Sequence, residues 1–103
     1  MSTVAQSVLS CQYVPVLVKA EAATPTSDTV QMAFVASGDP QSGDWNTASW
    51  AAQQNLPTTQ GIAQCLVGPG GTIALATGTY TIWVKVTDSP EVPVQVAGLL
   101  TIF

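Results

Sequence analysis

Apolar and polar residues alternate along most of this chain, with the period of two that is typical of half-buried β-strands. The clearest alternation lies between Thr79 and Asp88, where every second residue from Tyr80 to Val86 is apolar. No segment shows the 3.6-residue period of an amphipathic helix. The pattern therefore predicts an all-β chain, with strands over residues 12–22, 29–37, 61–67, 72–76, 79–88 and 92–103.

The same alternation predicts the two faces of each strand. In the strand at 79–88, Trp83 and Lys85 share the more polar face, opposite the apolar residues. Pro15 interrupts the first predicted strand, which indicates an edge position or a bulge because proline cannot donate to the hydrogen-bond ladder. In the last strand, we expect one shared face for Val92, Val94, Val96, Leu100 and Ile102.

Turn residues separate these strands at short and nearly regular intervals. Glycine and proline clusters at 38–44 and 68–71 mark the clearest turns. Six to eight short strands spaced in this way predict a single antiparallel β-sandwich. We expect the sandwich domain to cover residues 12–103, with residues 1–11 as either an N-terminal arm or the first strand. Residues 45–53 fit either a strand carrying Trp50 or a short helical turn.

Two local patterns resemble immunoglobulin-like domains. Residues 75–80, with the sequence LATGTY, resemble the tyrosine corner, in which a tyrosine early in the penultimate strand bonds to the backbone upstream. Ile82 stands where an immunoglobulin domain has its second cysteine, which implies that the inter-sheet disulfide is absent. The fold that these patterns imply is a single immunoglobulin-like antiparallel β-sandwich of about seven strands.

Charge is scarce in this chain. Only two lysines and six acidic residues are charged among 103 residues, which is 8%, whereas a typical soluble domain is about 25% charged. The polar surface must therefore come from Ser, Thr, Gln and Gly, whose neutral groups cost much less to bury than ions do. Such a surface favours a protein that is packed against neighbours.

The few charges disfavour several classes of partner. Lys19 and Lys85 cannot form a phosphate-tracking surface, so neither nucleic acid nor an anionic membrane is an expected partner. No apolar stretch reaches the roughly 18–20 residues of a transmembrane helix, and the first ten residues lack the basic segment of a secretory signal. We therefore expect the chain to be made in a cytosol.

Candidate catalytic and metal-binding groups are also scarce in the sequence. Cys11 and Cys65 could form a disulfide, but a cytosolic chain favours two reduced thiols, buried as small hydrophobic groups. Without histidine, two distant cysteines do not make a zinc site, and no serine or cysteine has a general base. Asp39 and Asp44 flank a loop that does not match a calcium-binding loop. We expect no enzymatic activity, no metal and no cofactor.

Four short motifs follow one another along the chain. They are Asp28-x-Val30-x-Met32-Ala33-Phe34, Asp44-Trp45-x-x-Ala48-x-Trp50, Val67-Gly68-Pro69 and Gly78-x-Tyr80-x-x-Trp83-Val84-Lys85. In these motifs, which span roughly residues 28–91, the chain resembles small virion proteins of tailed bacteriophages, particularly those that infect actinobacteria. The resemblance implies a structural virion protein, made in the host cytoplasm, that decorates or cements a capsid. Its implied partners are the major capsid protein or another virion protein, and further copies of itself in a symmetric assembly.

Two alternative functions fit the same sequence. The chain could belong to the tail or the head–tail connector, in which case the particle would hold only a few copies. It could instead be an immunoglobulin-like adhesion module that binds host-surface carbohydrate, which would require exposed loop aromatics with polar partners beside them.

Six residues are the predicted contacts in a structural role. Trp83 either shields the sheet beneath it or anchors a partner, since aromatic residues are enriched at binding hot spots. Of Trp45 and Trp50, we expect Trp50 to lie in the core, in the role of the inter-sheet tryptophan. The uncharged N-terminal segment could add a strand to a partner's sheet edge. The predicted interface residues are Val4, Val8, Leu9, Trp45, Trp83 and Lys85.

Overall fold

The chain folds as two β-sheets that pack face to face. The computed structural model describes residues 2–19, 29–51, 60–87, 92 and 94–103. Within these ranges the chain forms eight strands and a single 3-10 turn at Ser42–Asp44, which confirms the all-β sandwich with slightly more strands than expected. The strands are β1 (Ser2–Gln6), β2 (Gln12–Lys19), β3 (Thr29–Val35), β4 (Asn46–Thr47), β5 (Ser49–Trp50), β6 (Gln60–Val67), β7 (Gly78–Thr87) and β8 (Val94–Ile102).

The strand order is that of an immunoglobulin-like sandwich. One sheet has the order β1-β8-β7-β3-β4 and the other has the order β2-β6-β5. An immunoglobulin domain likewise places its last, penultimate and third strands together in one sheet, opposite its second and fifth strands. β2 lies at the edge of the smaller sheet, which agrees with the edge position predicted from Pro15.

The first strand departs from a purely antiparallel arrangement. Of the two alternatives for the N-terminus, the structure has the first strand, because Ser2 to Gln6 pair with Gly98 to Ile102 of β8 in parallel. The chain must then cross to β2 in the other sheet. Gln6, which is 4% exposed, stabilises this crossing by donating from Nε2 to the carbonyl oxygens of Val67 at 3.0 Å and Ser10 at 3.3 Å.

The core lies between the sheets and contains every second residue along the strands, whose side chain faces inward. Every second residue of β6 from Gly61 to Val67 is buried, and β7 buries its apolar face in the same alternating way. These faces confirm the alternation seen in the sequence. The core consists of Val14, Val16, Val18, Val30, Met32, Phe34, Ala63, Cys65, Val67, Ile82, Val84, Val86, Leu100 and Ile102.

The tyrosine corner predicted by resemblance is present. Tyr80 donates its hydroxyl hydrogen to the carbonyl oxygen of Ala76, four residues upstream, at 2.8 Å. Ile82, at the position of the second immunoglobulin cysteine, is 1% exposed and packs in the core. An aliphatic side chain therefore occupies the site where such domains carry half of a disulfide.

The last strand changes face halfway along its length. Ile82 lies opposite Gly98 whereas Trp83 lies opposite Val96, so Ala97 is an extra residue that forms a β-bulge. Leu100 and Ile102, after the bulge, are buried. Val94 and Val96, before the bulge, lie on the outward side with Lys85 and Trp83. The single face predicted for this strand was therefore wrong, because one extra residue reverses the alternation.

Two further segments differ from the sequence prediction. Residues 72–76 do not form a strand. Instead the backbone turns at Gly68 to Gly71 and folds back along the end of β6, where the Thr72 amide donates to Leu66 O at 2.8 Å. Residues 46–50, left undecided by the sequence, form the short strands β4 and β5 in different sheets. The predicted connections at 23–28 and 89–91, and most of that at 55–60, lie outside the described residues.

Trp50 packs against the core, as expected, but it does not take the central inter-sheet position. It lies on β5, opposite Ala63, and is half-buried at the margin of the core. On β3, the third strand, which carries that tryptophan in immunoglobulin domains, the middle inward-facing residue is Met32, which is 0% exposed. A flexible methionine fills that space between the sheets, so the tryptophan is not required there.

The two cysteines are free, as expected, but the burial expected for both is found only for Cys65, and for Cys11 it was wrong. Cys11 is exposed, whereas Cys65 is 1% exposed and directs its sulfur toward the carbonyl oxygen of Thr47 at 3.8 Å. Burial raises the pKa of the Cys65 thiol above its ordinary value of 9.0. Only the thiolate reacts quickly with thiol reagents. The folded protein should therefore protect Cys65 and leave Cys11 available.

A labelling experiment should separate the two thiols. We expect a thiol reagent at neutral pH to modify one cysteine of the folded protein and the second only in denaturant, and Cys11→Ser should abolish the fast reaction. Because folding raises the pKa of Cys65, the folded state holds that proton more tightly than the unfolded chain does. Stability should therefore be full below about pH 8.5 and fall as the pH rises through 9 and above. Fast labelling of both cysteines would contradict this prediction.

Candidate protein interface

The outward-facing side of the five-stranded sheet combines side chains from five strands, and we call it the outer face. Trp83 lies opposite Ala33 of β3 and Val96 of β8, at the middle of the central strand. Lys85 lies opposite Gln31 and Val94 in the same way. The strand register assigns to the outer face Ala5, Thr29, Gln31, Ala33, Val35, Thr47, Thr79, Thr81, Trp83, Lys85, Thr87, Val94, Val96, Leu99 and Thr101.

Lys85 supplies the single charge in this set. Its ammonium nitrogen lies 4.4 Å from the centroid of the Trp45 ring, in a cation–π contact. Such a contact stabilises by about 0.5–1 kcal/mol at an exposed site. Trp45, which directly precedes β4, thereby contributes to the outer face through its contact with the Lys85 ammonium group.

The loop before Trp45 is ordered by its own hydrogen bonds. The Gln41 amide donates to Asp44 Oδ2 at 2.7 Å, and the Asp44 amide donates to Gln41 O at 3.0 Å. These two bonds close the 3-10 turn, after which Trp45 resumes an extended backbone that leads into β4. Asp44 therefore has a local structural partner, which fits the role of capping a turn rather than that of a metal ligand.

Trp83 covers the middle of the outer face. Its side chain is half-buried, and the buried indole Nε1 has no hydrogen-bond partner. Ala33, directly opposite on β3, is 0% exposed although the register places it on the outward side. The ring therefore shields part of the sheet, and its remaining surface is open to a partner.

Exposed valines in β8 and just before it are candidate partner contacts that the sequence pattern missed. Val92, Val94 and Val96 are 48%, 44% and 40% exposed, and the latter two lie directly beside Lys85 and Trp83. They were assigned to the same face as Leu100 because the pattern of apolar residues is unbroken. The available signal was Gly98, since an isolated glycine within a strand often marks a bulge.

The three N-terminal residues of the predicted interface lie elsewhere. Val4 is half-buried and packs against the core from β1. Val8 and Leu9 follow β1 in a turn, where they are 36% and 85% exposed, and the Val8 amide donates to Phe103 O at 2.7 Å. The structure thus brings together Trp45, Trp83 and Lys85 but does not bring Val4, Val8 or Leu9 to the same face.

A second, smaller apolar surface lies on the opposite side of the molecule. On the outward side of the three-stranded sheet, Tyr13 and Leu17 of β2 are 54% and 49% exposed and lie opposite Leu66 and Ile62. A shallow depression next to Tyr13 is lined by residues of both sheets and of the segments between strands, namely Tyr13, Thr47, Ala48, Ser49, Gln64, Cys65, Leu66 and Thr72. It contains no charged side chain, and its one thiol is buried and hydrogen-bonded.

The described part of the chain contains no group of three Cys, Asp or Glu side chains placed to hold a metal ion. Within the same ranges, no helix is long and apolar enough to cross a membrane. No protein-family model matches this chain, and no curated protein matches its sequence. Function must therefore be inferred from the outer face and from the composition of the chain.

Proposed function

We propose that this chain is a structural protein of a phage particle, which decorates or cements the capsid by protein–protein packing through its outer face. The observation that carries this proposal is the convergence of Trp45, Trp83, Lys85, Val94 and Val96 on one side of the five-stranded sheet. Side chains that are distant in the sequence meet there, and they include the exposed apolar residues nearest the centre of the sheet.

The chemistry of the outer face suits burial against another protein. Interface cores are depleted in charge and enriched in aromatic residues, and this face has two tryptophans at or beside it and one lysine. Its other polar groups are mostly threonine hydroxyls, which cost much less to desolvate than ions. A partner could therefore cover the face with a small electrostatic penalty.

A place in a virion is supported by the composition and by the order of the sequence motifs. A capsid accessory protein is packed against neighbouring subunits. A chain with 8% charged residues suits that environment, because its neutral polar groups cost less to bury than ions do. The four motifs of the phage resemblance contribute Met32, Trp45, Tyr80, Trp83 and Lys85 to the fold. They supply both core residues and the centre of the outer face.

Carbohydrate adhesion is the less favoured alternative. Sugar rings stack on open aromatic faces that have polar partners beside them, but Lys85 already covers one face of Trp45. Trp83 is half-buried and its indole N–H points into the protein. A position in the tail or connector would use the same packing surface and differs from decoration in copy number.

Quantitative mass spectrometry of purified particles tests the proposal. We expect about one copy of this chain per capsid subunit, or about one per three, because decoration follows the symmetry of the shell. A handful of copies per particle would assign the chain to the tail or connector. Absence from particles would overturn the virion proposal and favour the adhesion module.

The same measurement on variants tests the outer face. Trp83→Ala should lower incorporation strongly, since loss of a hot-spot side chain costs about 2 kcal/mol or more, or roughly 30-fold in affinity. Leu17→Ala on the opposite side of the sandwich is the matched control and should be incorporated normally. Circular dichroism must show that both variants fold. Equal incorporation of both folded variants would show that the outer face is not the surface that packs in the particle.

A further inference from the structure

We propose that the occupant of the outer face is a second copy of this chain, so that the protein is a two-fold dimer before it enters a particle. The inference rests on the proposed function, because it names the partner of the same face. A closed homodimer requires a surface that is self-complementary, large enough and free of like-charge contacts. The outer face is large enough, the placement of Lys85 avoids a like-charge contact, and the central apolar residues make the face self-complementary.

The size of the outer face matches that of one side of a stable dimer. Strands about 4.8 Å apart with a rise of about 3.3 Å per residue give the described strands of this sheet a projected area of about 500 Å². Side chains roughen the surface, so the accessible area is larger and comes near the roughly 800 Å² that each partner buries in a standard interface. The smaller sheet has only β2, β6 and the two-residue β5, and falls well below that size.

The placement of Lys85 allows two identical faces to pack. Trp83 lies at the middle of β7, which is the central strand, so a two-fold axis that lies in the interface and crosses the middle of β7 at right angles passes near it. Lys85 is two residues away along the strand, about 6.6 Å at the usual rise. The two lysines of a dimer would then be about 13 Å apart, beyond the Debye length of about 8 Å at physiological salt.

The centre of the face is apolar in both copies. Trp83 and Val96 lie beside one another there, and rotation about the axis places them against the same residues of the other copy, with Val94 next to them. Two flat sheets that meet in this way pack about 10 Å apart, with interdigitating side chains. The contact would cover the valines that the bulge at Ala97 turns outward.

The net charge of the chain distinguishes this occupant from an acidic partner. Two copies each carry a net charge of −4, so their long-range interaction is repulsive and salt screens it. Self-association should therefore stay constant or strengthen as salt is added. A partner held by an ion pair with Lys85 would instead bind more weakly at high salt.

Analytical ultracentrifugation of the purified chain from about 1 to 100 μM tests the dimer. We expect a dimer with a dissociation constant in the micromolar range or tighter, as interfaces of this size show. Val96→Glu should weaken dimerisation at least tenfold, because it buries a carboxylate at the centre of the interface. Leu17→Glu, an equivalent change on the opposite sheet, should dimerise like the unmodified chain.

Several results would overturn the inference. A monomer throughout the concentration range would refute it, as would a dimer that Leu17→Glu disrupts and Val96→Glu does not. A steep loss of affinity between about 50 and 500 mM salt would indicate an ion-pair contact instead. A monomer that is nevertheless incorporated into particles would leave the proposed function standing, with a shell protein on the outer face. A dimer that is absent from particles would support the inference and refute the virion role.

Discussion

Replacing Gly68 with alanine is expected to lower the free energy of unfolding by about 2–6 kcal/mol, which is a large part of the 5–15 kcal/mol of a typical domain. Gly68 has a φ of +135°, and a Cβ built there would collide with the Ser10 carbonyl oxygen and lie 2.6 Å from Cys11 Cα. Both atoms belong to the backbone of the crossing between the sheets. Gln6 fixes that crossing through its hydrogen bonds to the carbonyl oxygens of Ser10 and Val67, so the backbone cannot move aside without losing them.

Two other glycines are matched controls for this substitution. Gly70 also has a positive φ, of +80°, but has no atom within 4 Å of a built Cβ, so Gly70→Ala should show only the backbone strain of about 1–2 kcal/mol. Gly43 has neither constraint, and Gly43→Ala should change stability by less than about 1 kcal/mol. Urea denaturation followed by circular dichroism measures all three. Equal losses for Gly68→Ala and Gly70→Ala would refute the steric explanation.

Leu100→Ala should lower the free energy of unfolding by about 2–5 kcal/mol, the range for a leucine removed from a packed core. Leu100 is 0% exposed and lies between the sheets, opposite Tyr80 of β7 and Val4 of β1. Its removal would leave a cavity that cannot readily close, since β8 is held in register by hydrogen bonds to β1 on one side and β7 on the other. Thermal or urea unfolding of the purified variant measures the loss.

The neighbouring leucine provides the control. Leu99 is half-buried on the outer face, opposite Thr81, and Leu99→Ala should cost less than about 1.5 kcal/mol. The two variants have the same change in composition at adjacent positions, so the difference between them reports which face each residue occupies. Both must be measured at the same protein concentration, since Leu99 is on the proposed dimer surface. A greater loss for Leu99→Ala would contradict the assigned faces of β8.

Much of the fold could be predicted because alternation is a local signal. In β6 and β7 the apolar residues recur with a period of two, and the buried faces are those that this period selects. Pro15 indicated an edge strand or a bulge because a missing amide hydrogen is tolerated at either, and the structure has the edge strand. Tyr80 indicated a corner because its hydroxyl must reach a carbonyl close by in the chain, and Ala76 is four residues away.

The candidate site could be predicted only in part. Trp83 and Lys85 were assigned to one face because two residues of one strand, two positions apart, must share it. The approach of Trp45 to Lys85 depends on the loop that returns from β3 to β4, and this loop is set by the Gln41 and Asp44 contacts. Trp50 was correctly expected to pack against the core, but its place at the margin was missed because the sequence cannot say which strand faces the centre of the core.

The amino-acid sequence by itself determined that this protein is a β-sandwich with a nearly uncharged surface, because strand period, turn residues and charge content are properties of short segments. Only the tertiary structure decided which residues come together on the outer face. The parallel pairing of β1 with β8 and the extra residue at Ala97 are choices of hydrogen-bond partner between distant segments. A shift of one residue in that pairing exchanges the two faces of a strand, so the exposure of Val94 and Val96 depends on contacts that no local pattern contains.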